Sequence, residues 1–166
     1  AATFVQASLT ELPPALPWGQ ADLVLCLGNT MPHLTEPADL AQALSAIECL
    51  LAPKGIAVIQ TLNYDAILSQ HERIVSVDRD GDREFIRFYD FLESGLIRFN
   101  ILEIDWGGSG AITEPLNSVL LNPYRSADLE REAIAAGLST RWFAGNLRLE
   151  PYDPESADTT ILVVSR

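Results

Sequence analysis

Two asparagines in this sequence follow directly on apolar runs: Asn29 in Leu27-Gly28-Asn29-Thr30, with His33 four residues beyond it, and Asn63 in Thr61-Leu62-Asn63-Tyr64. An amide donates and accepts at once, a glycine lets a ligand approach the backbone, and a histidine or tyrosine can relieve an amine or phenol of its proton. This set of groups suits binding and orienting reactants more than attacking them. No G-x-S-x-G elbow is present, which disfavours a serine hydrolase. His33 and His71 are far apart, and neither has Cys or carboxylate at zinc-like spacing, so no metal is expected. A nucleotide-dependent oxidoreductase lacks a dinucleotide fingerprint. His33, between Pro32 and Leu34, reads equally as a packed loop histidine and as a ligand contact. Tyr89, in Arg87-Phe88-Tyr89-Asp90-Phe91, either faces a substrate or packs on a sheet.

These residues need a scaffold, and hydrophobic patterning outlines one. Ala2–Gln6 reads as a short strand, and Ala21–Leu27 as a parallel strand covered on both faces. Pro37 and Asp39 open a helix whose Leu40, Ala43, Leu44, Ile47 and Leu51 recur at helical spacing, and Pro53-Lys54-Gly55 stops it. Ile56–Thr61 is a second buried strand, and Asn63–Gln70 a short helix. Strand, helix, strand with brief connections is a βαβ unit, so the fold class expected is α/β with a parallel sheet. Four further strands follow, Arg73–Val77, Arg83–Phe91, Leu96–Ile104 and Ser118–Leu121, with turns at Asp80-Gly81-Asp82 and Glu93-Ser94-Gly95. They form an antiparallel insertion over residues 72–121, a flap on one domain spanning 1–166. Gly107-Gly108-Ser109-Gly110 is its most flexible loop. Ser126 caps a last helix that Gly137 ends, and Leu138–Phe143 and Thr159–Val164 are the final strands.

Ligands of an open parallel sheet bind outside the carboxyl ends of its strands. Here those ends are Gln6-Ala7-Ser8, Leu27 to Thr30 and Thr61 to Tyr64.

Composition narrows the partners. The 166 residues carry 23 acidic against 11 basic side chains, a formal net charge of −12. Phosphate affinity needs clustered Lys and Arg, so a nucleic-acid or anionic-membrane surface is disfavoured. A small neutral or cationic substrate is easier to accommodate. Cys26 and Cys49 both sit in apolar runs and read as buried free thiols of a reducing, cytoplasmic compartment. No apolar run approaches the roughly 20 residues of a membrane helix.

Ala21-Asp22-Leu23-Val24-Leu25-Cys26-Leu27-Gly28-Asn29-Thr30-Met31-Pro32-His33-Leu34 resembles the stretch around the fourth strand of class I S-adenosylmethionine (SAM)-dependent methyltransferases. The likeness is closest to the glycine/sarcosine N-methyltransferase group, with its D-x-V-x-C-L-G-N-S-x-x-H-L pattern. Leu50-Leu51-Ala52-Pro53-Lys54-Gly55 resembles the link into the fifth strand, and Asn63-Tyr64-Asp65-Ala66-Ile67-Leu68-Ser69 resembles that group's N-Y-D-x-I-L segment.

The resemblance implies a Rossmann-like methyltransferase sheet with an inserted antiparallel β-flap and an antiparallel last strand. It implies SAM as cofactor, held by Ala7, Ser8, Leu9, Leu27, Gly28, Thr30 and His33. The methyl acceptor, a small amine or hydroxyl compound, would meet Asn29, Leu62, Asn63, Tyr64 and Tyr89, with His33 or Tyr64 assisting proton removal. Ser8 stands where relatives carry Asp or Asn, and Leu62 where glycine methyltransferases carry an Arg that clamps the substrate carboxylate, which argues against glycine. The glycine-rich SAM loop and the acidic ribose-binding residue would precede Thr3, so the sheet is N-terminally incomplete, and two strand–helix units are expected upstream of Ala1. The rival is a non-catalytic module of the same fold that binds a protein partner. The oligomeric state stays open, a homodimer included.

Overall fold

The computed structural model describes residues 2–108, 112–113 and 117–166. The chain divides into two compact units, one of residues up to Ala66 together with Tyr124–Arg166, the other Ile67–Pro123.

The first unit is built on the expected βαβ step. Strand β1 (Ala21–Cys26) leads through a 3-10 turn at Met31–His33 into helix α1 (Pro37–Leu50), and β2 (Leu51–Leu62) returns parallel to β1. Pro37 stands in the first turn of α1, where its missing N–H costs nothing. The helix buries Leu40, Ala43, Leu44 and Ile47, one stripe at the helical period. After the short helix α2 (Tyr64–Gln70), the chain leaves for the second unit and returns in α3 (Ser126–Ala135), β8 (Ser139–Ala144) and β9 (Thr159–Ser165). The sheet order is β1-β2-β9-β8, with β9 antiparallel to β2 and to β8. The reversed last strand is therefore as expected. Cys26, Ala57, Ile59, Leu162 and Val164 meet Leu44, Ile47, Leu129 and Ala133 in the main core, so the two helices α1 and α3 cover one face of the sheet.

Several expectations are corrected here. Ala2–Gln6 is not a strand: it is exposed and has no ladder partner among the described residues. An apolar run becomes a strand only when its backbone groups find a neighbour. Strand β1 ends the sheet order and is covered on one face only, for Leu23 and Leu25 are 56% and 57% exposed. Pro53-Lys54-Gly55 does not terminate a helix but lies inside β2, at the register shift against Ala21. A Cβ on Gly55 would stand 2.6 Å from the Ala21 carbonyl oxygen and 2.9 Å from that of Ala52, so only glycine fits this bulge. Ser126 is the first residue of α3, with Arg125 in the cap position. Cys49 is exposed and only Cys26 is buried. Burial pushes the Cys26 thiol above its ordinary value.

The second unit is an antiparallel sheet of β3 (Ile74–Asp80), β4 (Arg83–Phe91), β5 (Ile97–Asp105), β6 (Ile112–Thr113) and β7 (Asn117–Leu121), in the order β3-β4-β5-β6 with β7 also on β5. Asp80 pairs with Arg83 across a two-residue turn whose Gly81 has φ 59°, the left-handed geometry of tight hairpins. Asn100, fully buried, donates to Asp90 Oδ2 (3.0 Å) and accepts from the Ser118 hydroxyl (2.7 Å). Of the glycine loop singled out in the sequence, Ser109 and Gly110 lie outside the described residues.

Candidate functional site

The carboxyl end of β1 turns on two consecutive left-handed residues, Gly28 (φ 76°) and Asn29 (φ 61°). Glycine adopts this conformation freely, and asparagine tolerates it better than most side chains. What holds the pair is the end of β2. Gln60 Oε1 accepts the Gly28 N–H at 2.6 Å. Asn29 Oδ1 accepts the Leu62 N–H at 3.0 Å, and Asn29 Nδ2 donates to the Tyr64 hydroxyl at 3.0 Å. The Thr30 hydroxyl closes the turn on the Leu27 carbonyl at 2.7 Å. These bonds engage one of the two N–H groups and one of the two lone pairs of the Asn29 amide.

Beside this turn lies an apolar cavity of about 290 Å³, lined among others by Leu9, Leu16, Cys26, Leu27, Thr30 and Ile47. Three residues expected to meet the cofactor, Leu9, Leu27 and Thr30, thus share one wall. Ser8 does not join them; its hydroxyl pairs with Thr10 Oγ1 at 2.8 Å on the surface. Ala7 is exposed, as is His33, which stands at the end of the 3-10 turn while Met31 and Pro32 are buried. None of the hydrogen bonds between described side chains joins the His33 ring to Asn29 or Tyr64.

Asn63, Tyr64 and Asp65 leave the end of β2 in three directions. Asn63, only 2% exposed, gives its Nδ2 protons to the carbonyls of Pro154 (3.1 Å) and Ala157 (2.9 Å), and its Oδ1 accepts from the Tyr152 hydroxyl (2.9 Å). Tyr64 is fully buried with its hydroxyl on Asn29. Asp65 Oδ2 accepts from the Ser126 N–H (2.9 Å) and shares the single Tyr152 hydroxyl proton with Asn63 Oδ1, at 2.8 Å from the phenol oxygen, and Arg125 Nη1 stands 3.4 Å from Oδ1. Burial alone would raise the Asp65 carboxyl. The hydrogen bonds from Ser126 and Tyr152 and the Arg125 charge outweigh it and hold the group below its ordinary value. Burial, with the adjacent carboxylate, pushes Tyr152 the other way.

This placement corrects two expected substrate contacts and limits a third. Asn63 is an anchor for the 153–157 loop, because a buried amide spends its bonds on the backbone carbonyls around it. Tyr89 is 4% exposed and packs inside the second unit, its ring centroid 5.7 Å from Phe99 and 6.1 Å from Phe91; burial raises its phenol. Tyr64 has no exposed surface to offer an acceptor molecule. Leu62 is half-buried, and its N–H binds Asn29. Gln60, Asp65 and Tyr152 were not singled out from the sequence. Gln60 left one signal, a polar side chain within the apolar Ile56-Ala57-Val58-Ile59-Gln60-Thr61-Leu62 run, which has to find a partner when half-buried.

Among the described residues no group of His, Cys, Asp and Glu is placed to hold a metal ion, and no helix is long and apolar enough to cross a membrane.

No protein-family model matches the chain. It is 29% identical over 103 residues to a glycine/sarcosine N-methyltransferase of Parasynechococcus marenigrum, a match covering 54% of this chain and 36% of that protein. Among solved structures it is similar to the CcbJ methyltransferase of Streptomyces caelestis (TM-score 0.79, 17% identity, 96% of this chain and 66% of that one). It is also similar to SAM-bound CalS10, an amino pentose methyltransferase of Micromonospora echinaspora (TM-score 0.66, 16% identity, 96% and 63%). The fold is the Rossmann-like α/β fold of class I SAM-dependent methyltransferases. The chain spans a little over a third of the length of the first relative and under two thirds of the length of CalS10.

Proposed function

We propose that the protein carrying this chain transfers a methyl group from SAM to a small-molecule amine or hydroxyl, at the crevice beyond the carboxyl ends of β1 and β2. The observation that carries this reading is the left-handed Gly28–Asn29 turn, fixed from β2 and opening beside the apolar cavity walled by Leu9, Leu27 and Thr30. That wall fits the cofactor's adenine ring and aliphatic carbons, and the turn fits its polar end. Leu9, Leu27, Gly28 and Thr30 would hold it, with His33 at the rim.

Bound SAM would supply a methyl group already activated on a sulfonium, whose sulfur would leave as a neutral thioether once the acceptor's nitrogen or oxygen took the methyl, and the acceptor's proton would pass to His33 at the rim or to solvent. The chain's own task is then to orient the acceptor and exclude water, and orientation can supply much of the barrier reduction. Asn29 retains a donor and an acceptor for this purpose, and the apolar wall excludes water. Leu62 brings no cation to a carboxylate, which favours acceptors without one. The similarity to enzymes named for glycine and sarcosine and for an amino pentose supports an amine.

Calorimetric titration with SAM and a methyl-transfer assay on Asn29→Ala and His33→Ala test the reading. Asn29→Ala should cut turnover by more than its loss of SAM affinity accounts for, whereas the main effect of His33→Ala should be weaker SAM binding. A protein that binds no SAM would instead be the non-catalytic partner-binding module of the same fold.

A further inference from the structure

Gln60 has no role in the chemistry above, yet it is the only side chain described on β2 that reaches the Gly28 backbone. We propose that Gln60 is a positioning residue for the cofactor segment: by accepting the Gly28 N–H it holds the left-handed turn in the form that receives SAM. The inference rests on the proposed SAM site. Four hydrogen bonds act on these four residues. Thr30 ties back to Leu27, Leu62 and Tyr64 hold Asn29, and among the described side chains Gln60 is the one that holds Gly28. Gly28 follows Leu27, whose side chain walls the apolar cavity. A Cβ at Gly28 would meet nothing within 4 Å. Crowding therefore does not keep Gly28 at φ 76°, and glycine by itself populates left-handed and ordinary backbone about equally. The Gln60 bond, 2.6 Å long, selects one of these in advance. Without it the turn samples several forms, and the cost of ordering it is charged to ligand binding.

Gln60→Met keeps the length of the side chain and removes the acceptor. Gln60→Glu restores an acceptor oxygen at the same reach. Gln60→Thr is too short to reach Gly28 and serves as a second loss variant. Calorimetry with SAM and with S-adenosylhomocysteine, amide hydrogen exchange at Gly28 and thermal unfolding are measured on each. For the loss of one neutral hydrogen bond, Gln60→Met and Gln60→Thr should weaken both ligands about three- to tenfold. Exchange at Gly28 should quicken and the melting temperature should stay near the parent's. Gln60→Glu should bring back S-adenosylhomocysteine affinity, the ligand without a sulfonium charge keeping the added carboxylate out of the comparison. Loss variants that bind both ligands as the parent does, or a loss that Gln60→Glu does not restore, overturn the positioning role while leaving the methyltransferase reading in place. A parent protein that binds neither ligand overturns that reading itself, and the role of Gln60 with it.

Discussion

Replacing Asp65 with alanine should destabilise the protein by loosening three segments at once. The carboxylate accepts the Ser126 N–H at the start of α3 and the Tyr152 hydroxyl, and it faces Arg125. A side-chain oxygen that satisfies a helix-start N–H contributes about 1 kcal/mol. A hydroxyl bonded to a charged acceptor contributes about 1.5 kcal/mol or more, reduced here because Tyr152 keeps Asn63 Oδ1 as a partner. The Arg125 pair at 3.4 Å, with the arginine side chain 47% exposed, adds little. The loss should be about 2–3 kcal/mol, or roughly 4–12 °C in melting temperature for a chain of this size. Asp65→Asn keeps one acceptor oxygen and should lose about half as much. The sign of the pH dependence follows from the lowered carboxyl: this contribution is complete above the unfolded value of about 3.9 and disappears as pH falls through the lower folded value. Thermal unfolding followed by circular dichroism, between neutral pH and the acid range, measures both effects. An Asp65→Ala protein melting within a degree or so of the parent, or a cost additive with that of Tyr152→Phe, would show that the network carries no such load.

Gly55→Ala should cost about 2 kcal/mol or more in denaturant unfolding, because its Cβ would meet two backbone oxygens closer than 3 Å. In the native protein a thiol reagent should label the exposed Cys49 rapidly and leave the buried Cys26 protected until unfolding; equal rates would contradict the placement of β1 against α1. Leu62→Arg should improve turnover of a small carboxylate acceptor such as sarcosine relative to a neutral amine, which competition assays with both would detect.

Much of the scaffold was legible because it depends on local pattern. Arg83–Phe91 has in the structure the limits its alternation suggested, and the stripe of Leu40, Ala43, Leu44 and Ile47 is the buried face of α1. The failures share a cause: each depended on what lies opposite in space. Ala2–Gln6 has strand-like residues but no strand to pair with among the described residues. Pro53-Lys54-Gly55 looks like a helix stop because proline and glycine also build bulges, and only the Ala21 carbonyl 2.6 Å from a Cβ on Gly55 reveals which. Cys49 sits in an apolar run, yet that run is helical and the cysteine faces outward. For Tyr89 two readings stood open, because alternation does not say which face of a sheet is covered. At the candidate site the Gly28–Asn29 pair stood out by composition, whereas Gln60, thirty-two residues further on, acquires its meaning only when β2 lies beside β1.

The side chains of the Asn63-Tyr64-Asp65 segment, beside the candidate site, are spent on the protein's own groups. At the start of a helix successive side chains diverge by about 100°, so three neighbours on one turn face three different surroundings. Here those are the 153–157 loop, the Asn29 amide, and the start of α3 with Tyr152. Each pairing joins residues that are distant in sequence, so the segment clamps the end of β2 to the 153–157 loop, the Asn29 turn and the start of α3, and the proposed function leaves contact with the acceptor to Asn29. Clamp and contact make different demands on substitution. Tyr64→Phe removes the oxygen that receives the Asn29 Nδ2 proton and should raise the acceptor KM by freeing that amide to rotate. If Tyr64 were instead the proton acceptor of the reaction, Tyr64→Phe would depress kcat and flatten its pH profile with KM little changed. A full buried environment and a hydroxyl already facing Asn29 favour the first outcome. Because the two act through one bond, Tyr64→Phe should add little to the KM of a protein that already carries Asn29→Ala; a full additive increase would place Tyr64 in direct contact with the acceptor after all.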